Sequence, residues 1–141
     1  MKEREFQTLF SRWIRENKSY MAGVNAAFEL KIVKHKAMPF KQVREHQIVA
    51  LKGVKWNGTY HKINDIPFMP ERKGTFANPK PFDCFHMANG LGYIVVLFYK
   101  PREKKEMIWI DVEEFEKEMK VADRKSLTEK RAKEIGKVIS L

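Results

Sequence analysis

Residues 27–33 read Ala27-Phe28-Glu29-Leu30-Lys31-Ile32-Val33, a short apolar run broken by an acid and a base two positions apart. Side chains alternate between the two faces of a β-strand, so Phe28, Leu30 and Ile32 leave on one side and Glu29 and Lys31 on the other. A carboxylate and an ammonium about 6.6 Å apart along such a strand carry a desolvation cost unless they pair, hold a metal or touch water. The stretch therefore predicts a strand with one apolar and one charged face. Its charged pair is either a solvated ion pair on an edge strand or part of a site.

Gly92-Tyr93-Ile94-Val95-Val96-Leu97-Phe98-Tyr99 is a continuous apolar run rich in β-branched residues, the pattern of a central strand covered on both faces. Met107 to Ile110 pairs back on it as a hairpin, and Asp111 opens a helix through about Met119. Before the first strand, residues 2–17 place Phe6, Leu9, Phe10, Trp13 and Ile14 on one helical stripe, with Glu3 between Phe10 and Ile14 on the inward side. The competing reading of Glu3 is an acid in a frayed first turn, facing the positive end of the helix. Lys41 to about Lys52 predicts a second helix broken at Gly53, and Thr59 to Ile63 and Phe82 to Met87 predict short strands. Between them Ile66 to Pro81 holds four of the six prolines along with Arg72, Lys73 and Lys80, a long basic loop suited to backbone contact with nucleic acid. Ser126 and Glu129 fit a capping box opening a last basic helix that Gly136 interrupts. The order of elements is that of an α/β sandwich around a mixed sheet.

At 141 residues, with no linker dividing it, the chain reads as one domain, its body at 1–120 and a basic helical extension at 121–141. The single cysteine, Cys84, excludes an intramolecular disulfide and a Cys-rich zinc site, and fits a reducing compartment. No apolar run approaches the roughly 20 residues needed to span a bilayer, and residues 1–17 are charged and amphipathic, unlike a signal peptide. The expectation is a cytoplasmic protein that is not a membrane protein. Lys and Arg number 28 against 18 Asp and Glu, a net charge of +10. Such an excess favours polyanions, DNA or RNA above all, because neutralising phosphates releases counterions.

The acids with reason to converge are Glu29, Asp83, Asp65 and Glu3, with Lys31 as the base. Two or three carboxylates at a sheet edge would hold Mg²⁺ or Mn²⁺ through oxygen, with waters left for hydrolysis. The metal would stabilise charge on a phosphodiester, and Lys31 would position the water or neutralise the scissile phosphate. His46 beside Gln47 is a candidate general base or a solvated histidine. Cys84 and His86 share a strand face, two soft ligands without a second pair. Trp13, Trp56 and Trp109 are stacking candidates, with Trp13 and Trp109 also fitting a core. The basic stretch Arg124 to Lys137 reads equally as a solvated helix or a DNA-tracking arm.

Several segments in consistent order carry a resemblance. They are Glu3-Arg4-Glu5-Phe6-Gln7 with Trp13, Phe28 to Lys31, Met38-Pro39-Phe40 followed by Glu45-His46-Gln47 and Leu51, Tyr60 to Asp65, and Lys80-Pro81-Phe82-Asp83-Cys84-Phe85. With the Tyr93 to Tyr99 strand and its hairpin, they span roughly residues 3–115. The chain resembles the PD-(D/E)xK nuclease superfamily and, within it, the small Holliday junction resolvases of the RecU and archaeal Hjc kind, especially phage-type versions. The resemblance implies a restriction-endonuclease-like fold, Mg²⁺- or Mn²⁺-dependent cleavage of branched DNA such as a four-way junction, and a homodimer. It implies Glu29 as a metal ligand, Lys31 as the catalytic lysine, Glu3 as the helix-borne acid and Gln47 as the helix glutamine that approaches the site. Lys34, Lys36, Lys62, Arg72, Lys73 and Lys80 are the basic residues expected on the DNA. The usual pattern puts an Asp on the strand before the ExK strand, yet residues 20–28 hold no acid. Asp83 is the substitute as catalytic acid and metal ligand if its strand lies beside residues 28–32, and Asp65 is the second choice.

Overall fold

The computed structural model describes residues 1–63 and 82–141. Asp65, Arg72, Lys73, Lys80 and the proline-rich stretch lie outside these residues. Helix α1 (Glu3–Glu16) leads through turns to strand β1 (Ala26–Val33). Strand β2 (Ala37–Pro39), a 3-10 turn (Phe40–Gln42) and helix α2 (Glu45–Lys55) follow. A hairpin of β3 (Thr59–Lys62) and β4 (Cys84–Met87) precedes β5 (Leu91–Phe98), β6 (Glu106–Asp111) and α3 (Val112–Val121). The chain closes with β7 (Ser126–Thr128), α4 (Glu129–Ile135) and β8 (Lys137–Ser140).

The main sheet has the order β1-β5-β6-β8, with β1 parallel to β5 and the other pairs antiparallel. This is a mixed sheet flanked by helices. Alternation along each strand divides the core into two. On one face Phe28, Leu30 and Ile32 join Val95, Leu97, Met107 and Trp109 under Phe6 and Phe10 of α1. On the other, Ala27 and Val33 join Ile94, Val96, Ile108 and Ile110 under α2, α3, α4 and the β2–β7 ribbon. Trp13 and Trp109 belong to an aromatic cluster on the α1 side, with ring centroids 5.5 Å apart and Phe28 4.9 Å from Trp109.

Local chemistry explains most boundaries. Asp111 caps α3, its Oδ1 accepting the Glu113 amide at 2.9 Å. The α2 helix does not break at Gly53. It runs on to Lys55 because Val54 is buried, which outweighs the roughly 1 kcal/mol cost of a helical glycine. Its far end is tied to α3: Lys55 Nζ lies 2.8 Å from Glu113 Oε2, and Trp56 Nε1 donates to Glu113 Oε1 at 2.6 Å. These bonds hold the Glu113 carboxyl below the usual glutamate value and the Lys55 ammonium above the usual lysine value.

The C-terminal stretch also departs from the expected basic helix. Ser126 to Thr128 pair with β2, the cap is Thr128 (Oγ1 accepts the Arg131 amide at 3.2 Å), and α4 is a short helix before β8. Gly136 makes this turn possible: a Cβ there would sit 2.7 Å from Ile108 Cγ2 and 2.9 Å from Trp109 O. No helix among the described residues is long and apolar enough to cross a membrane.

Candidate active site

Glu29 and Lys31 project from β1 toward α2, as the alternation requires. They pair directly, Lys31 Nζ standing 2.8 Å from Glu29 Oε1. Their side chains are 17% and 26% exposed for Lys31 and Glu29, so the pair is neither solvated freely nor sealed. A third group completes the contact. Gln47, in the first turn of α2, donates from Nε2 to Glu29 Oε1 at 2.7 Å and accepts the Arg44 backbone amide on its Oε1 at 2.9 Å. Only this amide orientation satisfies both partners, since a carboxylate can only accept and a backbone N–H can only donate. Gln47 is thus a positioning residue, locked by the helix it helps to cap.

The α2 N-terminus also brings the positive end of its dipole toward the Glu29 carboxylate. Its close approach depends on Gly92 of β5, where a Cβ would lie 2.6 Å from the carbonyl oxygen of Leu51. Arg44 and Gly92 were absent from the sequence-level site. The Arg44-x-x-Gln47 spacing was the available signal for the first, whereas the second depends on a contact between elements far apart in the chain.

The other expected residues are placed differently. Glu3 is exposed and not inward-facing. The buried residues of α1 are Phe6 and Phe10, while Glu5 takes the capping role, accepting the Lys2 amide at 2.8 Å. Helix α1 packs on the opposite face of the sheet from Glu29. Asp83 is exposed just before β4, and its carbonyl accepts the Ile63 amide at 2.8 Å. The strand that follows Asp83 pairs with β3, whereas the strand beside residues 26–33 is β5. The condition under which Asp83 would replace the missing strand acid is therefore not met by the hydrogen-bonded pairings of the described residues.

Lys34 and Lys36 are exposed in the turn after β1, and Lys62 is exposed at the end of β3. His46 is exposed beside Gln47. Cys84 and His86 are exposed on one face of β4. Trp109 is buried and Trp13 half-buried in the core, while Trp56 is exposed but bonded to Glu113.

Among the described residues, no group of three or more His, Cys, Asp or Glu side chains is placed to hold a metal ion. Mg²⁺ ordinarily keeps several waters and binds through one or two carboxylates plus substrate phosphates, so Glu29 is a sufficient protein donor only with phosphate oxygens present. Lys31 and Gln47 both engage Oε1. Among the described residues Oε2 has no partner and is the oxygen such an ion would take. Chemically, the arrangement offers one oriented carboxylate, one ammonium within reach of the same ligand and an amide that fixes the carboxylate. Comparison of the chain with protein-family models, with curated proteins and with solved structures gave no match in any of the three.

Proposed function

We propose that the chain is a metal-dependent, structure-selective DNA endonuclease of the Holliday junction resolvase type, with a restriction-endonuclease-like fold and working as a homodimer. The observation that carries this reading is the meeting of Glu29, Lys31 and Gln47, three residues on two elements, in one hydrogen-bonded cluster. An isolated Glu-x-Lys pair on a strand has a mundane explanation as a surface ion pair. A helix glutamine aimed at the carboxylate gives the pair a fixed geometry, the preorganisation that a site stabilising developing charge requires. In this reading Glu29 holds Mg²⁺, which supplies a Lewis acid and an acidified water when bound. Lys31 neutralises the scissile phosphate, and Gln47 keeps the carboxylate aimed. The net charge of +10 supports a polyanionic substrate.

The test is cleavage of a four-way junction, a linear duplex and a single strand, with Mg²⁺ or EDTA, by wild type, Glu29→Ala and Lys31→Ala. Symmetric, metal-dependent nicks confined to the junction and lost by about 10²-fold or more in both variants are expected. Cleavage of every substrate would instead indicate a general nuclease of the same fold. A second reading is favoured by one observation, that among the described residues Glu29 belongs to no group of three or more acids, histidines or cysteines placed to hold a metal. In it the chain binds nucleic acid without turnover, and junction binding with no cutting in any metal would establish it.

A further inference from the structure

The Glu29 cluster accounts for none of the basic residues at 124–125, yet the fold brings these beside the 3-10 turn that leads into α2. The β2–β7 ribbon pairs Pro39 with Ser126, and the Phe40 amide donates to the Lys125 carbonyl at 3.1 Å. Between these segments lies an open basin of about 740 Å³. Phe40, Met119 and Ala122 form its apolar part, and Lys41, Arg124 and Lys125 stand around it. All three cations are exposed, and none forms an ion pair with any described residue. Among the described residues Asp123 is the one acid lining the basin.

A larger groove of about 910 Å³ between α2 and α3 has different electrostatics. Its Lys52 and Lys120 are both spent on Glu116, at 2.7 and 3.0 Å, and Glu45 adds a further acid. Of the two, the smaller basin is the one that, among the described residues, joins an apolar floor to cations outside any ion pair. It is also preformed, because backbone hydrogen bonds hold its two sides together and Met38 and Leu127 are fully buried in the core.

An apolar hollow with cations at its edge complements a nucleotide, whose base is flat and apolar-faced and whose flanking phosphates are anionic. We infer that this basin seats an unstacked nucleotide of the DNA strand that runs on past Glu29, its base against Met119 and Ala122 and its phosphates on Lys41, Arg124 and Lys125. The strand would follow the end of β1, where Lys34 and Lys36 are exposed in the turn before β2. The inference rests on the reading that the chain binds DNA, and it does not require turnover.

The experiment measures binding of a fluorescein-labelled oligo-dT strand across a salt series, every protein carrying Glu29→Ala so that cleavage cannot intervene. The triple variant Lys41→Ala/Arg124→Ala/Lys125→Ala is compared with Lys18→Ala/Lys104→Ala/Lys130→Ala, which removes the same charge from exposed positions elsewhere. Thermal melting confirms that each folds. Loss of three phosphate contacts should lower the slope of log K against log salt by about 2 and weaken binding at least tenfold, well beyond the control. Ala122→Trp, which fills the basin without changing charge, should weaken binding severalfold with the slope preserved. Equal effects of the two triple variants would overturn the inference, and so would unaltered binding by a folded Ala122→Trp. A wild-type protein that cuts junctions while the basin variants bind normally would refute the basin and leave the nuclease reading standing. The opposite pattern would do the reverse.

Discussion

Adding a methyl group at Gly92 should push α2 away from the sheet and loosen the Glu29 cluster. The new Cβ would meet Leu51 O at 2.6 Å and the Leu51 carbonyl carbon and Cβ at 3.0 Å, mostly backbone atoms that cannot swing aside. The oxygen contact is roughly 0.8 Å short of ordinary van der Waals separation, so helix or strand must shift. Overpacking of this kind costs about 1–3 kcal/mol, partly offset by about 0.4–1 kcal/mol from the stiffer unfolded chain. A net loss of about 1–2 kcal/mol corresponds to a fall in Tm of about 3–6 °C for a chain of this size. Gly53→Ala is the matched control. It lies in α2, its Cβ would meet only Gly58 O at 3.8 Å, and the change should raise Tm by about 2–3 °C through helix propensity. Circular dichroism melts of both variants decide the matter. A Gly92→Ala protein that melts at or above the wild-type temperature would refute the close approach of α2 to β5, and a fall in both would show that glycine geometry is not the cause.

Gln47→Ala removes both a charge-assisted bond to Glu29 and the cap on the Arg44 amide, so it should cost about 1–2 kcal/mol in urea unfolding. Junction cleavage should fall by about tenfold or more while binding is retained; an unchanged cleavage rate would remove Gln47 from the site. The protein should also lose stability in acid. Glu113 bonded to Lys55 and Trp56, Glu116 bonded to Lys52 and Lys120, and Glu118 bonded to Arg131 are all held below the ordinary value of 4.5. Their folded-state values are depressed, so the stabilisation they supply is present above about pH 4.5 and lost as the pH falls through the folded values. Melting temperature against pH should decline below that point, and a flat profile down to pH 3 would contradict these pairings.

Features set by local periodicity were readable from the chain. Alternation placed Glu29 and Lys31 opposite Phe28, Leu30 and Ile32, and the β-branched run at 92–99 marked a buried strand. Asp111 announced the start of α3 through its side-chain chemistry. The hairpin of β5 with β6 was readable as well, but the strand that lies beside β1 was not. Period-two alternation names a face but not a neighbour, and the partner of β1 comes from the far side of α2 and a hairpin. Gly53 looked like a stop because its cost is local, while the burial of Val54 that overrides it is tertiary. Glu3 was placed inward by counting angles, but the buried face of α1 is set by Phe6 and Phe10 and leaves Glu3 exposed. Ser126 mimicked a cap three residues ahead of Glu129, yet pairing with β2 drew it into a strand and moved the cap to Thr128.

The parallel pairing of β1 with β5 has a consequence for how the cluster comes into being. Ala26 lies opposite Leu91, a separation of roughly 65 residues, so this contact closes a far longer loop than the β5–β6 hairpin does and is entropically later. The β5–β6 hairpin and its helix α3 need only local closure and can form first as a template. The strand bearing Glu29 and Lys31 then docks at the rim of that template, with a hydrogen-bonded neighbour on only one side among the described residues. Its amides should therefore exchange with solvent sooner than those of β5, by partial openings that leave the rest of the sheet intact. The charged pair of the proposed site thus rides on a strand that joins its template after the hairpin has closed and that opens before the centre of the sheet does.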